Sequence, residues 1–423
     1  MFCGMITKKK YKNLLKGVWN SEKDTNNFLH LTVNENQLSD NANRLLSSKL
    51  SERYFFGGGD SDRIIDFGSY TFRGLPEVDN LVNEAKKELL RMSCASAVNM
   101  NCFSGLHAMM CAILVTSSPG DVIMSIPFND GGHAATKGII ENIGRKHVFA
   151  KFDVKNLDFN FKKTVDRFKA ANAKVIYIDI SVHLNFLDIR KLRRLLPDNA
   201  IIIYDASHSL GLILGGCFPS PLKQGADIVC SNTHKTFAGP QSGIILYKDK
   251  KIGEKANWTI DTTFVSSVHT ARIMALSASI LEHAKFGKNY AKQVIANSNA
   301  LAKILKKRGY KLRKSNNGSY SNNEQVHLFI DNIGERMDLY KKLITNNIST
   351  NFMQILGGRT FARLGTQEVT RRGMKVKDMG KIALFLDQAL QGKNVKKEVI
   401  RFNEKFPNIA HSFDTPVKVK IHE

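Results

Sequence analysis

The 423-residue chain is poor in several things at once. No apolar run in it approaches the ~20 residues needed to cross a bilayer, so no membrane-spanning helix and no membrane partner are expected. The opening stretch, MFCGMITKKKYKNLLKGVW, has no apolar segment followed by small residues, so no secretory signal is expected there either. Its six cysteines (Cys3, Cys94, Cys102, Cys111, Cys217, Cys230) lack the paired spacing of a zinc site and mostly lie in apolar surroundings. They read as reduced core residues of a cytoplasmic protein, with no metal site. No internal repeat is visible.

Acidic residues are also scarce, at 38 Asp+Glu against 62 Lys+Arg, which leaves a net charge of +24. The excess gathers at Lys8–Lys16, at 306–314, at 371–381 and at 393–397. Such an imbalance favours contact with polyanions, so a nucleic-acid partner is one expectation. No aromatic-interleaved basic stripe or known nucleic-acid module accompanies it, and solvated helix faces account for the same charge.

What is present is an ordinary globular composition, 43% hydrophobic and 24% charged, in a chain too long for one simple core. Leu14, Leu15, Val18 and Trp19 share one face of an N-terminal helix within residues 1–30. Apolar runs at Val122–Ile126, Val175–Ile180, Ile201–Tyr204 and Ile228–Cys230 read as buried strands, with helical patterns between them. This alternation predicts an α/β fold with a mainly parallel sheet wrapped on both sides. A long helix is expected from about His269 to Leu305, a polar loop at Ser315–Asn323, a strand at Val326–Ile330, and a loosely held tail after Pro407.

Two strand ends carry the chemistry. The run Ile228–Cys230 leads into Ser231, Asn232, Thr233, His234, Lys235 and Thr236, then a turn with Gly239 and Pro240. A lysine at a strand's mouth, crowded by hydroxyls and a histidine, is partly desolvated, which frees its amine to condense with an aldehyde. The run Ile201–Tyr204 ends in Asp205, Ala206, Ser207 and His208. A carboxylate there is costly to bury without a cationic partner. A protonated pyridine nitrogen is such a partner. Pyridoxal phosphate requires both groups, a carboxylate that keeps its ring protonated and a lysine that holds its aldehyde.

The stretches D-A-S-H-S-L-G-L at 205–212 and N-T-H-K-T-F-A-G-P at 232–240 resemble the cofactor strand and lysine turn of serine hydroxymethyltransferase, a fold-type I pyridoxal-phosphate family. N-E-N at 34–36, D-G-G-H at 130–133 and A-R-L-G-T-Q-E-V-T-R-R-G at 362–373 agree, in order, from about Leu31 to Pro407. The resemblance implies that Lys235 carries the cofactor, Asp205 meets its ring nitrogen and His133 stacks on the ring. It places Ser104 and Gly105 at the phosphate and Ser181 near the ring hydroxyl. His208, Asn232 and His234 belong to the same cofactor shell. Arg363 and Asn34 take the substrate carboxylate, Asn34 standing where the family has serine. Tyr54 reaches the partner's site across a homodimer.

Departures cluster away from the ring. Phe56 stands where the family has a glutamate needed for folate chemistry, and an apolar ring cannot relay a proton. The family's tyrosine pair falls near Thr71 and Phe72, after an apparent insertion around 59–69. Asp261–Ser267 lacks the glycines that serve a neighbouring subunit's phosphate, and Gln241 replaces an arginine. The expected organisation is an N-terminal helix and arm (1–44), a large cofactor domain (45–290), a smaller C-terminal α/β domain (291–407) and a tail (408–423). The expected activity is pyridoxal-phosphate-dependent making or breaking of the Cα–Cβ bond of a serine-, threonine- or glycine-type amino acid, as an aldolase or transaldolase with tetrahydrofolate in doubt. Two alternatives stay open: a decarboxylase or other lyase acting on an amino-acid group carried by nucleic acid, and a non-catalytic basic binding protein.

Overall fold

The structure, a computed structural model, describes residues 6–57, 64–66, 68–331, 333–355 and 357–415. Cys3, Gly58 and Gly59 of the glycine cluster, and the tail beyond Thr415 lie outside the described residues.

Seven strands form the central sheet: β1 (Ala97–Asn99), β2 (Val122–Ser125), β3 (Lys146–Phe149), β4 (Ala173–Ile178), β5 (Ile201–Asp205), β6 (Ile228–Asn232) and β7 (Gly243–Tyr247), in the order β1-β7-β6-β5-β4-β2-β3. Only β7 runs against the others, pairing antiparallel with β1 and β6. The four central pairings are parallel. Helices cover both faces, which is why β6 is buried along its whole length and could be written as unbroken apolar sequence. Two apolar cores flank the sheet. One contains Ile202, Tyr204 and Val229, and the other contains Tyr177, Ile203 and Cys230, so alternate residues of each strand enter opposite cores.

A second, antiparallel sheet, β8 (Gln325–Phe329), β9 (Asn351–Ile355) and β10 (Arg359–Gly365), has the order β8-β10-β9. Its core includes Leu29 and Leu31, because Leu29–His30 pairs in parallel with Ile348–Ser349. The N-terminal arm is thereby pinned beside Arg363. Among the helices, α1 (Lys8–Thr25) forms as its periodicity predicts yet buries no residue, with Leu14, Val18 and Trp19 each more than half exposed. Helix α2 (Gly105–Thr116) follows β1, and α3 (Thr270–Lys307) links the two cores.

The tail is a correction. Through Asp414 it is held rather than loose. The Asp414 carboxylate accepts from the N–H groups of Asp40 and Asn41 at 2.8 and 3.1 Å, at the start of the helix Asp40–Leu46. Arg371 donates to the carbonyls of Ala410 and His411. The same residue, grouped by sequence with surface charge, is 4% exposed and paired with buried Glu282 at 2.9 Å. Arg313 is also turned inward, donating to the Val154 carbonyl at 2.9 Å and lying over the Phe329 ring. The basic groups of the sequence are therefore partly structural. No helix among the described residues is long and apolar enough to cross a membrane.

Candidate active site

Parallel strands deliver their C-terminal ends to one edge of the sheet, and the chain changes there from apolar to functional residues. Asp205 closes β5 opposite Cys230 of β6, and the lysine turn follows β6 directly. Lys235 and Asp205 line one cavity of ≈ 190 Å³, together with Ser104, His133, Ser181 and Asn232. Larger clefts of ≈ 490 and ≈ 570 Å³ lie near the chain ends and α3, but neither joins a strand-end lysine to a carboxylate.

Enclosure lowers the Lys235 amine to about 8, against the opposing pull of Asp205. Its Nζ lies 3.2 Å from His208 Nε2. With the Asn232 amide turned so that its oxygen faces inward, that oxygen accepts from Nζ at 3.1 Å. Asp205 is fixed at both oxygens, by the Tyr177 hydroxyl at 2.6 Å and the Ser207 N–H at 2.8 Å. Hydrogen bonds to both oxygens fix the direction in which the carboxylate is aimed. His133 stands at the lip of the cavity, with its backbone N–H on Asp179 Oδ2 at 3.1 Å. Its imidazole is lowered from the ordinary range by packing against the wall and by the Lys235 charge, with Asp205 opposing.

Arg363, on β10, is 3% exposed and reaches across to the same edge. It donates to the Ser181 carbonyl at 2.7 Å, to Asn34 Oδ1 at 3.1 Å and, with the Asn351 amide turned, to that residue's oxygen at 2.9 Å. Burial lowers it to about 10, so it remains a cation at neutral pH. Asn34 and Arg363 are thus brought together by the pinned arm. Ser181 Oγ donates to the Gly131 carbonyl at 3.1 Å, and His234 lines the cavity beside the lysine. Tyr54 is the exception. It is 62% exposed and stacks on Phe56, in an aromatic group with Phe72 and Tyr70 on the hairpin of Ile64–Asp66 and Thr71–Arg73.

The residues fit pyridoxal phosphate on three observations. Asp179 Oδ1 and His234 Nδ1 are buried without a hydrogen-bond partner in residues that line the cavity, as expected of a site shaped for a polar guest. Ser104 caps α2 through its Oγ on the His107 N–H, which leaves the N–H groups of Gly105 and Leu106 outside the helix ladder. A Cβ at Gly105 would sit 2.8 Å from Asn232 Cβ, so only glycine lets this helix start approach the lysine strand.

Sequence reasoning missed several residues. Tyr177 sits within an apolar strand, where its hydroxyl gives no signal. Asn36, which donates to the Lys235 carbonyl at 2.6 Å and the Tyr290 hydroxyl at 2.9 Å, was visible only as part of N-E-N. Glu324 follows a polar loop and reads as solvated, yet it is fully buried beside His208. Outside the cavity, Cys102, His107 and Cys111 hold ligand-type atoms within 4.8 Å of one another. The Phe103 N–H donates to His107 Nδ1 at 3.0 Å, which pins the neutral ring's proton on Nε2 and leaves that nitrogen a donor rather than a metal ligand.

The family described as Serine hydroxymethyltransferase matches residues 9–386. The chain belongs to the serine hydroxymethyltransferase family. Its fold is fold type I of the pyridoxal-phosphate-dependent transferases, and its cofactor is pyridoxal phosphate. The chain is similar to the fluorothreonine transaldolase of Streptantibioticus cattleyicolor, 34% identical over 359 residues, covering 84% of this chain but only 56% of that protein. It is similar to the serine hydroxymethyltransferase of Methanosphaera stadtmanae, 32% identical over 418 residues and 96% of each chain. Among solved structures, the L-threonine transaldolase of Pseudomonas fluorescens matches with a TM-score of 0.87 at 26% identity, covering 96% of this chain and 94% of that one.

Proposed function

We propose that this serine hydroxymethyltransferase-family chain makes or breaks the Cα–Cβ bond of a β-hydroxy-α-amino acid without folate, as a threonine-type aldolase or transaldolase. The observation that carries the reading is a cofactor-type cavity in a chain whose Phe56, where the family has its folate-serving glutamate, packs against Phe72 at 4.4 Å between ring centroids. Lys235 offers an amine lowered to about 8, half free near that pH. Arg363 binds the amino acid's carboxylate beside Asn34, which fixes the substrate's orientation. Asp205, held by Tyr177 and Ser207, keeps a proton on the cofactor's ring nitrogen. His133 would flank the bound ring, and the N-terminus of α2 at Ser104–Gly105 would take the phosphate. When bound, the cofactor supplies a sink for the electron pair released at Cα.

Phe56 can neither accept nor relay a proton for a folate-borne one-carbon unit. Exposed aromatic rings suit an aldehyde's apolar substituent instead. We further propose a cytoplasmic homodimer in which Tyr54 completes the partner's site. Its exposure, and the uncovered face of α1, support this. The test is incubation of the purified protein with serine, threonine and glycine, with and without tetrahydrofolate. Acetaldehyde from threonine, independent of folate, is the expected product; formaldehyde transfer from serine that requires folate would overturn the reading.

A further inference from the structure

The pinned N-terminal arm carries a second cluster of ligand-type side chains, none of which lines the cofactor cavity. Ligand atoms of His30, Glu35 and Glu368 lie within 4.8 Å of one another, with His30 Nδ1 3.9 Å from Glu35 Oε2. Three elements bring them together. His30 stands on the strand paired with Ile348–Ser349, Glu35 lies between Asn34 and Asn36, and Glu368 belongs to the short helix Gln367–Arg371 after β10.

Two observations point to a cation. The Thr25 carbonyl, which can only accept, lies 3.0 Å from His30 Nε2, so the neutral ring carries its proton there. The lone pair is left on Nδ1, the nitrogen nearest the carboxylates, where it accepts from the Ser349 hydroxyl at 3.1 Å. A backbone carbonyl on the far nitrogen is the arrangement that orients metal-binding histidines, and the reverse of that at His107. Glu368, meanwhile, is 4% exposed, and among the described residues its carboxylate accepts no hydrogen bond and pairs with no cation. Arg372, one turn on, donates instead to the carbonyls of Asn403 and Phe406 at 3.2 and 3.3 Å. A buried carboxylate with neither kind of partner is costly, and a second carboxylate beside it adds repulsion.

We propose that His30, Glu35 and Glu368 bind one divalent cation of the zinc type, which clips the arm to the helix that follows β10. One imidazole nitrogen and two carboxylate oxygens suit zinc at about 2.0–2.2 Å. Bonds of that length set ligand atoms about 3.4 Å apart, a contraction from 3.9 Å that the exposed Glu35 side chain can make. The cation replaces the Ser349 hydrogen bond at Nδ1, water completes the shell on the open side, and two carboxylates neutralise the ion. The clip fixes a segment that meets the floor of the cavity twice. Arg363 donates to Asn34, and Asn36 donates to the Lys235 carbonyl. The inference does not rest on the reaction proposed above.

The experiment uses the full-length holoenzyme, stripped of metal with a chelator and titrated with zinc chloride alone against a chromophoric chelator. One zinc per chain is expected, with X-ray absorption showing nitrogen and oxygen at about 2.0–2.2 Å and no sulfur at about 2.3 Å. His30→Gln and Glu368→Gln should each weaken binding by roughly 100-fold or more, and Glu35→Gln by roughly tenfold. Glu35 is exposed, so its variant keeps the test open where a buried one fails to fold. Zinc should also raise the Tm of wild type and not that of Glu368→Gln at the same concentration. Sulfur in the zinc shell, less than half a zinc per chain, or an affinity within about threefold of wild type in every folded variant overturns the proposal.

Discussion

The floor of the cavity and the aromatic group around Tyr54 are built on opposite terms. At the floor, Asp205, Lys235, His208 and Arg363 come from strand ends and strands of a folded core, and each has a named partner within the same chain. Outside it, Tyr54, Phe56, Tyr70 and Phe72 form an aromatic group at a short hairpin, the two tyrosines more than 60% exposed and each stacked on a phenylalanine. In the proposed reading the preorganised cavity fixes the chemistry at Cα, and the aromatic group, with no proton relay at Phe56, sets which carbon fragment is exchanged.

Four changes would break or sharpen this contrast. The largest effect is expected from Lys235→Ala, which should lower kcat/KM by roughly 10³-fold or more, as loss of a nucleophile that is also a proton carrier requires. Steady-state assay with threonine checks it, and residual activity above a tenth of wild type would count against the floor. Next, Arg363→Lys should raise KM by roughly 100-fold, because a point charge cannot replace a two-pronged grip in a buried setting. Tyr177→Phe should lower kcat by roughly tenfold, the worth of one hydrogen bond to an ionised group. In the aromatic group, Phe56→Glu should change folate-free turnover of threonine by less than about threefold, since Phe56 lies on no proton path. A loss as large as that of Arg363→Lys would place the aromatic group within the machinery at Cα.

The pH dependence follows from the lysine. Below about 8 Lys235 carries a proton and its amine cannot attack, so the rate of cofactor capture by the cofactor-free chain should rise with pH through about 8 and level off above it. Stopped-flow absorbance measures this directly. A flat profile from pH 6 to 9 would mean that the amine is not the titrating group.

The sequence carried the floor well because its residues sit where apolar runs stop. Ile201–Tyr204 announces a buried strand, and Asp205 at its end is conspicuous for that reason; the same holds for Lys235 after β6. Side chains that act from inside an element were hidden. Tyr177 has the apolar body of a core residue, and its hydroxyl becomes functional only because β4 lies beside β5. Glu324 adjoins a run of serine and asparagine whose polarity suggests solvent, but Ser321 and Asn323 are buried in a hydrogen-bonded turn. The tail was misjudged for a related reason. Asp414 gains its role from a helix start more than 370 residues away, a pairing that no local pattern encodes.

The central claim is that Lys235 carries the cofactor, and borohydride reduction of the holoenzyme followed by peptide mass spectrometry tests it most directly. The reduced cofactor should be found on the peptide containing Lys235, at close to one per chain. Cofactor on a different lysine, or a native chain that retains none, would contradict the account.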